Sequence, residues 1–273
     1  SLSALFEKSF YFGLDLAASY TFGHSKSVYD GTSSVAYSNW KYNYAVDSNN
    51  PGLAYSMFDI PHRVMVSVGY RTPRYAKGFM ATTVSLVYNG YVGQRYSLTM
   101  NESYYDAEKK KTVYIDYNGD GWGGNSLLYI PTEDELQKMD FKTEEDRRKF
   151  DEWIEGDSYA KKHRGAYAMR NSNSAPWENR VDLHVAQDIF VLKDRGSKFQ
   201  VTFDVTNFAN MLNKKWGTTY TAAYNVMPLQ VIGSKKGEDG NYTNTYAYNS
   251  RNTITKNDVL SRWHAQIGFK YIF

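Results

Sequence analysis

Apolar and polar residues alternate along this chain in runs long enough to be extended strands exposed on two different surroundings. In the first run Phe10, Phe12, Leu14, Leu16, Ala18, Tyr20 and Phe22 share one face, opposite Tyr11, Gly13, Asp15, Ala17, Ser19 and Thr21. The second sets His62, Val64, Val66, Val68 and Tyr70 against Arg63, Met65, Ser67, Gly69 and Arg71. Met80, Thr82, Val84, Leu86 and Tyr88 make a third, less clean, row. The fourth opposes Val181, Leu183, Val185, Ile189 and Val191 to Arg180, Asp182, His184 and Asp188. The fifth opposes Phe199, Val201, Phe203 and Val205 to Gln200, Thr202 and Asp204. The last reaches the C-terminus, with Trp263, Ala265, Ile267, Phe269, Tyr271 and Phe273 facing His264, Gln266, Gly268 and Lys270. Successive side chains of a strand point to opposite faces, so each run makes one apolar and one polar surface.

A soluble β-sandwich also alternates, but it turns every ~8–12 residues, and this chain does not. The runs fit tilted membrane strands of roughly 9–11 residues. Composition agrees: aromatics are 16% of residues, and 25 of the 273 are Tyr. Mean hydropathy is −0.61, and no stretch approaches the ~18 apolar residues of a membrane helix. Alternating strands with aromatic girdles produce this mixture. The absence of Cys fits passage through an oxidising compartment. A net charge of +3, spread along the chain, points to no nucleic acid partner.

The connections carry a second argument. Residues 71–77 and 193–198 are short links, whereas residues 24–57, 89–178 and 207–258 are long ones. Outer-membrane barrels alternate tight periplasmic turns with large external loops in this way. The expected fold is all-β: an antiparallel transmembrane β-barrel, of which residues 1–273 supply about six C-terminal strands. Outer-membrane lipid is then a partner of the chain. The start at Ser1 without Met suggests a piece of a longer protein.

Three motifs extend the reading. The stretch from Leu5 through Glu7, Lys8 and Phe10 to Gly13 and Leu14 resembles a turn and strand common in TonB-dependent outer-membrane transporters. The run Asp59, Ile60, Pro61, His62, Arg63, Val64 is similar to a strand start of that family. Phe203 to Phe208, followed by Asn213, Lys214, Lys215, Trp216 and Gly217, resembles the region near the family's end. Within the family, residues 91–97 and 116–131 look like the Oar-like branch of Bacteroidetes, which carries a carboxypeptidase-regulatory-like N-terminal domain; SusC-like glycan importers are the near alternative. The terminal Phe269, Tyr271 and Phe273 resemble the signal by which such barrels are recognised for assembly. The resemblance implies about 22 strands closed by a plug, of which these are the final six with Ser1 to Leu5 a remnant of the preceding one, TonB-driven import of a large peptide, glycan or chelate, and in some members a surface lipoprotein partner. The alternative is an adhesin or structural barrel without uptake.

The loop over residues 89–178 holds the candidate ion site. Asp116, Asn118 and Asp120, followed by Gly121, open like a calcium loop, with oxygen ligands at alternate positions and a glycine for the sharp turn. Position 12 is Leu127 rather than Glu, so an ion needs Asn125, a backbone carbonyl or another carboxylate. The competing reading is an ion-free Asp/Asn/Gly turn. Downstream, Thr132 and Glu135 form a capping box for one helix, and Thr143 starts a second with Phe150, Trp153 and Ile154 on one face. Helices inside such a loop predict a folded lid or docking surface, or simply a cover for the barrel wall.

Asp15, Arg63, Arg180, Asp182, His184, Asp188 and Asp204 are expected in the lumen, chiefly as structural charges. No catalytic constellation is present: the five His lack zinc-ligand spacing and no nucleophile elbow occurs. The expectation is a transporter rather than an enzyme. Asn101-Glu102-Ser103 matches a glycosylation pattern that arises readily by chance.

Overall fold

The computed structural model describes all residues except 192–196, 223, 224, 239 and 251–253. Its largest unit is a seven-stranded sheet whose strands lie in chain order. They are β1 (Leu2–Ser9), β2 (Leu14–Phe22), β3 (His62–Arg71), β4 (Met80–Tyr91), β5 (Glu178–Phe190), β6 (Lys198–Thr206) and β7 (His264–Ile272). Every neighbouring pair is antiparallel, giving an up-and-down meander.

The register explains why the alternation was so legible. One row across the sheet reads Leu16, Val68, Leu86, Leu183, Val205 and Ala265. The next row, on the opposite face, reads Ser9, Asp15, Gly69, Ser85, His184, Asp204 and Gln266. A one-residue slip of any strand would exchange these faces, so the pattern itself fixes the pairing. Large apolar side chains on the first face stay exposed, up to 82% for Phe269. A contiguous apolar surface of this extent belongs against lipid. Tyr70, Phe199, Tyr271 and Phe273 gather toward the short turns, and Tyr20, Phe22, Tyr88 and Trp263 toward the long loops, as two aromatic girdles do. Among the described residues no helix is long and apolar enough to cross a membrane.

The expected strand remnant over Ser1 to Leu5 extends further, as β1 (Leu2–Ser9). β1 pairs with β2 along its length, from Leu2 opposite Phe22 to Ser9 opposite Asp15. Lys8 on its apolar face and Leu5 on its polar face blur the alternation that marks the other six. Phe10 and Phe12, read as strand, belong to the turn before Leu14. That turn needs Gly13, whose φ is +93° and whose Cβ would stand 2.2 Å from the Arg71 carbonyl oxygen. The short link over 72–79 turns through positive φ at Ala76, Lys77 and Gly78. The other expected short link, 193–198, lies outside the described residues up to Gly196.

The long connections span 23–61, 92–177 and 207–263, the first and third a few residues wider than expected and the second slightly narrower. The apolar core lies here rather than in the sheet. It joins Leu98, Leu128, Ile130, Leu136, Phe150, Ile154 and Leu229 from the second and third loops. Strand Arg95–Leu98 runs between Asn173–Ser174 of its own loop and Asn225–Val226 of the third. Strand Asp140–Phe141 lies parallel to Tyr242–Tyr248 of the third loop, which is in turn antiparallel to Leu229–Lys236. The two loops therefore fold as one cap, a union that the sequence pattern did not reveal.

The helices of the cap follow their local signals. α1 (Ala36–Lys41) lies in the first loop, and α2 (Glu133–Lys138) and α3 (Glu144–Gly156) in the second. Thr132 and Glu135 form the reciprocal capping box of α2, and the Thr143 hydroxyl accepts the Asp146 N–H at the start of α3. Glu144, Glu145 and Asp146 place negative charge at the positive end of the α3 dipole. Phe150 and Ile154, four residues apart, are fully buried, and Trp153 stacks on Phe150 with ring centroids 6.0 Å apart.

Candidate functional site: the cap on the long-loop side

The cap is fastened to the sheet by buried polar contacts from the residues that carry the family resemblance. Asp59, just before β3, accepts hydrogen bonds from Arg95 Nε and Nη2 at 3.0 and 2.7 Å and from the Ser25 N–H at 2.5 Å. Burial pushes the Asp59 carboxyl up, but the Ser25, Arg95 and His24 contacts outweigh it and hold the group below the usual carboxylate value. At the far side, Asn207 follows β6 in a left-handed conformation, φ +54°. Its side-chain amide donates to the Gly217 and Ser261 carbonyls, each at 2.8 Å. A Cβ at Gly217 would meet Asn207 Oδ1 at 1.9 Å, so this glycine and this asparagine require one another.

The seven charges expected in the lumen all fall on the polar face, and most are spent on one another. Asp188 receives Arg71 Nη2 and Lys198 Nζ at 2.7 Å and Gln200 Nε2 at 2.8 Å. His184 Nδ1 lies 2.5 Å from Asp204 Oδ1. Arg180 Nε donates to Asp182 Oδ1 at 2.9 Å, and that oxygen also takes the Asn207 N–H at 2.7 Å. Arg63 Nε donates to Asn89 at 3.1 Å. Asp15 sits in the same polar rows opposite Gly69. This arrangement is that of a braced wall.

Several cavities open among the long loops. One, of about 360 Å³, is lined by Met100, Tyr117, Tyr129, Tyr167, Leu229 and Tyr246, among others. Tyr129 and Tyr167 meet edge to face at 5.1 Å, and the Tyr129 hydroxyl donates to Glu135 at 2.9 Å. Burial, with Tyr246 beside it, raises the Tyr117 pKa, so the phenol stays neutral. Aromatic faces with polar tips suit sugar rings or planar side chains. Another cavity, about 350 Å³, lies beside Asp30, Asn43 and Arg170. Arg170 is buried and already committed to Asn43 and the Ser27 carbonyl, both at 2.5 Å.

Asp116, Asn118 and Asp120 do form one tight turn bordering the tyrosine cavity. Asp116 Oδ2 accepts the Gly121 N–H at 2.8 Å, and Gly119 and Gly121 both have positive φ. Asp120 Oδ2 is held by Asn125 Nδ2 at 2.7 Å and by Ser48 Oγ at 2.6 Å. Asn125, expected as a further ligand, turns its oxygen to Asn118 Nδ2 at 2.9 Å. Among the described residues no three His, Asp or Glu side chains stand at metal-holding spacing. The residue that sequence reasoning missed here is Glu102, whose only sequence signal was a chance glycosylation match.

A meander of alternating strands, apolar outside and charge-braced inside, with turns on one side and a folded cap on the other, defines a transmembrane barrel of the outer-membrane type. The comparison with family models agrees. Residues 1–262 match the model described as outer membrane beta barrel domain, and the chain belongs to that family. It is a multi-pass protein of the outer membrane. Neither the curated proteins nor the solved structures gave a match.

Proposed function

We propose that this barrel is the wall of an energised importer, driven through the TonB complex and taking up a ligand too large for passive pores. The observation that carries the reading is the cap: the second and third loops share an apolar core and enclose a tyrosine-lined cavity of about 360 Å³. A diffusion pore gains nothing from a separately folded, cavity-bearing lid. The resemblance of the Asp59–Arg63 and Asn207–Gly217 regions to TonB-dependent transporters, Oar-like or SusC-like, supports the same conclusion. The ligand classes that suit the cavity are glycans and aromatic-rich peptides, and the cap is also a surface on which a lipoprotein lid could dock.

The sheet supports a larger barrel. Among the described residues β1 and β7 each leave one edge unpaired, and open edges are prohibitive in lipid. Further strands must close the wall. The test is the intact mass of the native polypeptide from outer membranes, with N-terminal sequencing. A mass near or above ~80 kDa, as about 22 strands and a plug need, with a plug sequence upstream, supports the importer. A polypeptide of 31.4 kDa would overturn it in favour of an oligomeric barrel serving adhesion or structure.

A further inference from the structure

We propose that Glu102 and the turn over residues 116–125 hold a divalent cation, calcium by ligand chemistry, which buckles the first long loop to the second. This inference stands apart from any transport activity.

Four buried oxygens lie beside this turn without a close partner. Among the described residues, Glu102 Oε1 and Oε2, Asn101 Oδ1 and Ser126 Oγ are buried and make no hydrogen bond of normal geometry, the Ser126 hydroxyl and the Asn125 N–H being the donors disposed toward the carboxylate. Glu102 is 4% exposed, and among the described residues no ion pair reaches it. Burying a carboxylate without a counter-charge is far costlier than burying a neutral group, so such a group is paired, metal-bound or held protonated, and burial pushes the Glu102 carboxyl up to about 7 when no cation is bound. Backbone hydrogen bonds place these oxygens at the turn. The Ile115 N–H donates to the Glu102 carbonyl at 2.8 Å, next to Asp116, and the Met100 N–H to the Ser126 carbonyl at 3.0 Å. Glu102 Oε2 faces the turn itself, lying 3.8 and 4.0 Å from where a Cβ would stand on Gly123 and Gly124.

The closing carboxylate absent at position 127 is thus supplied from residue 102, upstream of the turn. With no triad of acidic groups at ligand spacing, the remaining donors are hydroxyl, amide, carbonyl and water oxygens. Calcium accepts six to eight such oxygens in flexible geometry, whereas magnesium demands a near-ideal octahedron and zinc favours nitrogen and sulfur. A cation here would also relieve the repulsion that Asp116 and Asp120 exert on Glu102. The same turn already grips the first loop: Ser48 Oγ bonds Asp120, and Asn125 Nδ2 donates to the Lys41 carbonyl at 3.2 Å.

The test uses the full-length protein purified in detergent, with terbium as the probe, since Trp122 and Tyr117 in the turn can sensitise its emission. Wild type should show sensitised emission that calcium displaces and equimolar magnesium does not. E102Q should weaken terbium binding at least tenfold, while E145Q on the outer face of α3 should bind as wild type. If E102Q fails to fold, D116N carries the test and should weaken binding likewise. No sensitised emission, emission that calcium does not displace, or wild-type affinity in a folded E102Q or D116N would overturn the proposal.

Discussion

Arg95 places two guanidinium N–H groups on a single oxygen of Asp59, at 3.0 and 2.7 Å, with both side chains almost fully buried. The pair joins the start of a membrane strand to the central strand of the cap, 36 residues apart. Removing one partner of a buried pair strands the other charge, at a cost of about 3–5 kcal/mol. Asp59→Ala should therefore loosen the cap while leaving the barrel folded. Trypsin cleavage within residues 92–177, set against the heat-modifiable gel mobility of the barrel, measures the two separately. Equal loss of both would contradict the assignment.

The same carboxylate predicts a pH dependence. Because the folded-state pKa of Asp59 lies below its ordinary value of 3.8, the folded state binds fewer protons than the unfolded chain around that pH. The stabilisation is complete above the unfolded value and is lost as pH falls through the folded one. Cap tryptophan fluorescence followed from pH 6 to pH 2 should show a transition below pH 3.8 that is missing in Asp59→Asn. A wild-type cap that loosens between pH 7 and 5 would argue against this origin.

Phe150 is fully buried against Phe141 and Trp153. Its truncation to Ala should cost the cap about 3–5 kcal/mol through lost transfer energy and a cavity. Hydrogen exchange should then rise across 92–177 and 207–263 together, since both loops share that core. A rise confined to the second loop would contradict the joint cap.

Asn207 and Gly217 make a similar prediction on the third loop. Asn207→Ala leaves the Gly217 and Ser261 carbonyls without their donors, at about 1–3 kcal/mol for each buried group. Gly217→Ala places a Cβ 1.9 Å from Asn207 Oδ1 at a positive φ. Both variants should raise proteolysis within 207–263, and a protease-resistant Gly217→Ala would refute the clasp.

The strands were legible because lipid on one side and polar groups on the other impose a period of two that no other constraint disturbs. Where the rule lapsed, a local reason is present. β1 was read too short because Lys8 and Leu5 stand on the wrong faces. Gln187 interrupts the apolar row of β5, but Tyr75, Thr82 and the Ala81 carbonyl satisfy it near the short-turn end. The helix caps at Thr132 and Thr143 were legible because their chemistry lies within four residues. The joint cap and Glu102 were not, because both rest on contacts between separate segments that no spacing encodes.

The orientation of this wall is the central claim, and the absence of native Cys allows it to be read directly. Single cysteines at Glu155, on the exposed face of α3, and at Lys77, in the short turn after β3, would be exposed on intact cells to a membrane-impermeant maleimide. Labelling at 155 on intact cells, and at 77 only after the outer membrane is permeabilised, is the predicted result. Labelling at 77 on intact cells, or of both sites alike, would contradict a barrel wall that carries its folded cap outside.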